Sequence, residues 1–376
     1  METLLSRRAG WLRSAHVALV SHAAALNRDG VSSADLLRRS PAWRLVSLLG
    51  PEHGYWGLGG AGEAVAGEKR AVLGVPIHSL YGTARRPTAA MLRGADLIVV
   101  DLQDIAARCY TYVSTLRHVL EAAAQYGKPV IVADRPVPLP RAVDGPTLDP
   151  RFESFVAFVR APLAYGLTPG EAARWICRDL ELDLDLRVST MDGYRRDAAR
   201  GADWPPWCPP SPGIRSWESA MCYTATVVSE ALPAIDVQRA GPLPFQVVLA
   251  PWMKPRAVLD VLAAADLPGV AFHYHRGRAA AGPADGIRLA VTDPAAFRPV
   301  TTGVHVLRAL QAVHGADAVW SAPGTRAGFF DQLMGTSQVR AALTGGATAE
   351  AIVADWASGL AAFRATRASA LLYPED

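Results

Sequence analysis

The sequence predicts an α/β protein: a Rossmann-like, mostly parallel sheet domain over residues 1–212 and a smaller α+β domain over residues 213–376. Three observations carry this. Four apolar runs, His16 to His22, Arg44 to Gly54, Asp96 to Asp104 and Pro129 to Pro136, read as strands buried on both faces. Helical periodicity lies between strands, the alternation of a right-handed parallel sheet with helices on both faces. The texture then changes at Trp204 to Pro212, whose five prolines and two tryptophans make a rigid, non-helical boundary. Each apolar run ends in acid or imidazole side chains, where ligands of open α/β sheets bind, beyond the carboxyl ends of the strands.

In chain order, His16 to Val20 is the first strand. Ser32 to Asp35 caps a short helix carrying Leu36 and Leu37, and the second strand starts at Arg44. A glycine-rich loop, Gly54 to Gly67, follows. Gly74 to Tyr81 is expected as a third strand, Pro87 to Leu92 as a helix and Asp96 to Val100 as a strand. Val113, Leu116, Leu120, Ala123 and Ala124 follow helical spacing, so Tyr110 to Tyr126 is a helix ended by Gly127. Pro129 to Ala133 is extended, Pro169 to Leu180 helical, and Leu184 to Met191 extended. Beyond Ser216 the pattern gives a helix, strand Phe245 to Ala250, helix Pro255 to Ala265, strands Val270 to His275 and Gly286 to Thr292, and helices to the end.

With 376 residues, 50% hydrophobic and 19% charged, the chain has enough apolar surface for two domains each with its own core. A net charge of +3 without a basic block gives no footprint for nucleic acid. Cys109, Cys177, Cys208 and Cys222 lack C-x-x-C spacing, so neither a metal site nor a disulfide framework is expected. Arg7-Arg8 precedes a moderately apolar stretch, but Arg13, His16 and His22 interrupt it and no apolar run is as long as a membrane span, so membrane insertion is not expected. A cytoplasmic protein is the expectation; an exported one whose signal lies outside this sequence is the alternative.

Glu52 and His53 lie in the segment Gly50 to Gly57, directly after a strand. Against Tyr55 and Trp56 the carboxyl would be partly desolvated, which raises its pKa and suits it to donate a proton. The plain alternative is that Glu52 caps the loop and His53 bonds to backbone. Asp101, Gln103 and Asp104 follow the third buried run, with Arg108, Tyr110 and Tyr112 close behind. An Asp104–Arg108 ion pair and a substrate contact are equally open. Ser114 and Glu121, seven residues apart, share a helix face away from the Leu116 and Leu120 stripe. Asp134 at a strand end and Asp144 in a turn signal each have structural explanations. Gly57 to Gly62 matches G-x-G-x-x-G, but without a strand immediately before it and a helix opening after it. It supplies a runner-up reading, a nicotinamide-dependent enzyme. P-loop, H-E-x-x-H and G-x-S-x-G motifs are absent from the sequence.

Gly50-Pro-Glu-His-Gly54, Ala61-Gly-Glu-Ala-Val65, Val75-Pro-Ile-His-Ser-Leu-Tyr-Gly82, the block Asp101 to Leu116, Val143-Asp-Gly-Pro146, Tyr165-Gly-Leu-Thr-Pro-Gly-Glu171 and Leu371-Leu-Tyr373 together resemble, in order and spacing, the NamZ/YbbC family of exo-β-N-acetylmuramidases. The resemblance spans almost the whole chain. It implies a cofactor-free glycosidase that removes N-acetylmuramic acid from the non-reducing end of peptidoglycan fragments, acting on a peptidoglycan-derived sugar or muropeptide. A non-catalytic muropeptide-binding protein of the same fold is the alternative. Glycoside hydrolysis usually takes two carboxyl groups, and by motif these are expected to be Glu52 and, second, Glu121. His53, Asp101, Asp104, Arg108, Tyr110 and Ser114 would orient the sugar, and its lactyl carboxylate would find Arg108 or Arg239. The chain departs from the family pattern at Ser21-His-Ala-Ala-Ala25 and around Glu230 to Gln246, where Glu230 and Arg239 keep their places as substrate contacts.

Overall fold

The computed structural model describes residues 1–65, 74–197, 204–280 and 282–375. The first half contains β1 (His16–Ser21), β2 (Arg44–Gly50), β3 (Ile77–Ser79), β4 (Leu97–Asp101), β5 (Val130–Ala133), β6 (Asp144–Thr147), β7 (Pro162–Ala164) and β8 (Leu186–Ser189). Six of these form one sheet in the order β3-β2-β1-β4-β5-β8, every pairing parallel, while β6 and β7 make a separate antiparallel pair. Strand order reverses between β1 and β4, so the crevice of the sheet opens at their carboxyl ends. β4 and β5 are buried along their whole length, as their unbroken apolar runs require.

The helices of this half are α1 (Glu2–Arg7), α2 (Ser33–Arg38), α3 (Tyr112–Tyr126) and α4 (Pro169–Asp179). Ser32 accepts the Asp35 amide and starts α2, and Gly127, at φ +60°, ends α3 in the left-handed conformation that glycine adopts without steric cost. Thr168 and Glu171 form a capping box on α4. The helix expected over Pro87 to Leu92 is a series of turns. Only its two ends, Pro87 and Leu92, are buried while residues 88–90 are exposed, so no apolar helical face is drawn onto the core. Gly67, the expected limit of the glycine-rich loop, lies outside the described residues.

The second half contains β9 (Val247–Leu249), β10 (Val270–Ala279) and β11 (Gly282–Val291), antiparallel in the order β10-β11-β9. Around them stand α5 (Trp217–Thr226), α6 (Pro255–Ala264), α7 (Pro299–His314), α8 (Ala316–Trp320), α9 (Ala327–Met334), α10 (Gln338–Thr344), α11 (Ala349–Ala354) and α12 (Ala357–Arg367). The α+β class is as expected, although β10 and β11 form a longer hairpin than the apolar positions indicated.

The expectation of a separate core in each half is not met. One apolar cluster runs from Val100 and Leu116 through Val228 to Leu307 and Phe330, and a smaller one, with Leu4, Leu12, Leu19 and Val99, lies on the opposite face of the sheet. Polar contacts fasten the halves too. Asp144 accepts the Val300 and Thr301 amides at 2.8 and 2.9 Å and so caps α7. Leu372 N–H donates to Glu171 at 2.9 Å and the Tyr373 hydroxyl to Asp134 at 2.7 Å. Among the described residues no helix is long and apolar enough to cross a membrane.

Candidate active site

The turn after β2 delivers Glu52. At Gly50 a Cβ would lie 2.5 Å from the Tyr55 amide nitrogen, so only glycine lets the chain fold back on the strand end. His53 follows at φ +71° and Gly54 at φ +76°, two left-handed residues that complete the turn. Within it the Glu52 side chain is buried. Its Oε1 accepts the Gly62 N–H at 2.8 Å and its Oε2 accepts the Thr111 hydroxyl. Thr111 immediately precedes the 15-residue α3, so the carboxylate faces the positive end of that helix. The Tyr81 hydroxyl adds a third hydrogen bond.

This surrounding differs from the one expected. The rings that sense the charge of Glu52 are Tyr81, Tyr110 and Tyr112. Tyr55 instead meets Trp56 edge-on at 4.9 Å, and both line a cavity of about 110 Å³ together with His53, Val65 and His78. His53 takes the backbone alternative: its Nδ1 lies 2.7 Å from the Gly59 carbonyl oxygen and must carry the proton to bond there. Gly57 to Gly62 is a run of turns whose last amide is committed to Glu52, without the strand and helix that a dinucleotide fingerprint needs.

A further partly buried acid, Glu230, comes from the other half. Glu230 lies in a short 3-10 turn, Val227–Ala231, directly after α5. Its side chain is 20% exposed and its Oε2 is 3.5 Å from Arg239, which is 53% exposed. Arg326 donates to the Glu230 main-chain oxygen at 2.7 Å. Burial pushes the Glu230 pKa up; Arg239 and Arg326 oppose this, and the negative charge of Glu52 adds to it. Between the two acids lies a tyrosine floor. Tyr110 packs against Tyr112 at 4.7 Å and Tyr223 at 5.8 Å, and Tyr223 against Phe245 at 4.8 Å. The Tyr110 hydroxyl is buried without a hydrogen bond of good geometry, close to Ser211. At the outer edge Arg85 stacks over Tyr81 and Phe155 at 5.1 and 4.5 Å.

Five other candidates are placed elsewhere. Glu121 pairs inside its own helix, with Arg117 at 2.9 Å and His118 at 3.3 Å. Ten residues beyond Thr111, it is about 15 Å further along the helix axis than the Glu52 contact. Asp101 is fully buried and forked by Arg135, with the Ser33 hydroxyl as a further donor. Burial is the largest influence and would raise its pKa, but Arg135, the amino terminus and the Ser33 hydroxyl together hold it low. Asp104 has no pair with Arg108: it accepts the Tyr165 hydroxyl at 2.8 Å and the Ile105 amide at 2.6 Å, and burial lifts it to about 6. Arg108 is completely buried and donates to the carbonyls of Pro146, Ala161 and Leu333, a strut between the halves rather than a cation open to a ligand. Ser114 donates to the Phe155 carbonyl at 2.7 Å.

Sequence reasoning passed over Gly62, Tyr81 and Thr111, although all three lie inside the recognised motifs. Arg85 and Arg326 had no signal in the sequence. Among the described residues there is no group of three or more His, Cys, Asp or Glu that would hold a metal ion.

A family model described as exo-β-N-acetylmuramidase NamZ, N-terminal, matches residues 17–218, and its C-terminal counterpart matches residues 221–373. Over 383 aligned residues the chain is 32% identical to the peptidoglycan β-N-acetylmuramidase NamZ of Bacillus subtilis strain 168, covering 99% of this chain and 90% of that protein. The crystal structure of a DUF1343 family protein from Bacteroides fragilis superposes with a TM-score of 0.91 at 28% identity, covering 99% of this chain and 98% of the other. A second DUF1343 family protein from the same organism, 24% identical, shares the fold at a TM-score of 0.78 over 100% of this chain and 99% of its own. With matches along both halves and a full-length relative above 30% identity, the chain belongs to the NamZ family of exo-β-N-acetylmuramidases.

Proposed function

We propose that this protein is an exo-acting glycoside hydrolase that releases N-acetylmuramic acid from the non-reducing end of peptidoglycan fragments, with Glu52 as a catalytic carboxyl. The observation that carries the reading is that two acids, one from each half, lie near enough for their charges to interact. Glu52 is buried at the carboxyl end of β2, and its charge is felt by Glu230 on the far side of a tyrosine floor. Two carboxyl groups flanking one bond are what hydrolysis of a glycoside through an oxocarbenium-like transition state requires. Family membership supplies the sugar: the Bacillus relative is named for peptidoglycan and N-acetylmuramic acid.

Each remaining part has work to do in such a reaction. Arg239, half-exposed beside Glu230, is the cation open to the lactyl carboxylate. Gly62 and Thr111 fix both oxygens of Glu52, so that the group meets the anomeric carbon without first losing rotamer freedom. Liberation of free N-acetylmuramic acid from a muropeptide disaccharide is the test. The parent enzyme is expected to produce it and Glu52→Gln to lose at least about 10²-fold in kcat. A Glu52→Gln variant with the parental rate would remove the assignment. We further propose a cytoplasmic location, which the four free thiols support; cell fractionation that found the protein outside the membrane would overturn it.

A further inference from the structure

We propose that Glu230 is the proton donor of this reaction and that Glu52 works as the carboxylate, the reverse of the role that aromatic surroundings would have given Glu52. The inference rests on the glycosidase reading above and divides the labour within it. Three observations support the division. First, the partners of Glu52 are a backbone N–H that can only donate, a threonine hydroxyl and the amino end of α3, a setting built for negative charge. Second, among the described residues the Glu230 carboxyl has no hydrogen-bond donor of that kind; Arg239 stands at 3.5 Å, and the side chain is only 20% exposed, near Tyr223 and Cys109. Third, the two groups interact, so an ionised Glu52 itself favours a proton on Glu230, and burial pushes the Glu230 pKa up in the same direction.

In the reaction the bond between C1 and the departing oxygen breaks and its electron pair stays with that oxygen. The Glu230 carboxyl proton neutralises the oxygen as it leaves. Water adds to C1, and its surplus proton returns to Glu230, directly or by way of Glu52, which restores the starting protonation and consumes one water for each bond cleaved. Arg239 links this step to the choice of sugar. A lactyl carboxylate bound to Arg239 draws the cation from Glu230 and places a negative charge nearby, and both changes strengthen the hold of Glu230 on its proton before cleavage.

Leaving-group dependence tests this directly. The full-length enzyme is assayed on 4-nitrophenyl β-N-acetylmuramide, whose phenolate departs without a proton, and on a disaccharide of N-acetylmuramic acid and N-acetylglucosamine, whose alkoxide does not. Glu230→Gln is expected to lose about 10²–10⁴-fold in kcat/KM on the disaccharide, to lose less than about tenfold on the aryl glycoside, and to lose the alkaline limb of the pH profile. Glu52→Gln is expected to lose both substrates. Glu230→Asp, which keeps an acid on a shorter stem, is expected to show the same selective loss in milder form and serves if the Gln variant does not fold. Equal loss on both substrates, or no loss on either, overturns the assignment of Glu230 while leaving the hydrolase intact. A parent enzyme that cleaves neither substrate overturns the hydrolase reading and this inference together.

Discussion

Replacing Asp101 with Asn separates a structural acid from a substrate contact. Asp101 is fully buried and its fork with Arg135, itself 5% exposed, is the only ionic compensation for that guanidinium among the contacts described. Removing one partner of a buried pair costs about 3–5 kcal/mol, because the other charge is left uncompensated. For 376 residues the unfolding entropy is about 0.8 kcal/mol/K, so the thermal midpoint should fall by about 4–6 °C. Tryptophan fluorescence melts will read this, as the chain has ten indoles. The double variant Asp101→Leu with Arg135→Met removes both charges together and should recover most of the loss. KM for the disaccharide should be unchanged in any variant that folds. A midpoint within about 1 °C of the parent, or a double variant as damaged as the single one, would refute the reasoning. An intact midpoint with a raised KM would return Asp101 to the substrate.

Thr111→Val keeps the shape of the side chain but removes the hydroxyl donor to Glu52; a hydrogen bond to a charged group contributes about 1.5–3 kcal/mol. kcat should fall by about 10–100-fold with little change in KM, and an unchanged kcat would mean that the contact does not position the acid. Asp134 has its pKa raised by burial to about 6, so its ionised form is disfavoured in the fold relative to an unfolded value of 3.8. That penalty is complete above pH 6 and is relieved as pH falls towards 4. His22, lowered to about 3 by burial, works in the opposite sense on acidification and is common to parent and variant. The midpoint difference, parent minus Asp134→Asn, should therefore shift in favour of the parent from pH 7 to pH 5. A difference independent of pH would contradict the buried-acid account.

The sheet was legible because strands covered on both faces must be apolar throughout, and β1, β2, β4 and β5 each announce themselves that way. The cap at Ser32, the stop at Gly127 and the periodicity of α3 were equally local, and local signals survive tertiary context. The site was less legible because its geometry is not local. Helical spacing put Glu121 on a plausible face but could not reveal that Glu52 meets the other end of the same helix. Arg108 read as an available cation because nothing in its neighbours along the chain discloses three carbonyls drawn from Pro146, Ala161 and Leu333. Glu230 and Arg239 were legible only as retained positions of a family pattern; the approach of Glu230 to Glu52 from the other half needs the fold.

The return of Leu372 and Tyr373 to Glu171 and Asp134 bears on the order of synthesis. While the ribosome is still making the second half, those two acceptors lack their final donors, and Glu230 has yet to meet Glu52. A nascent chain can therefore build most of its first sheet early, but Glu171 and Asp134 wait for these partners until Leu372 and Tyr373 have left the ribosome.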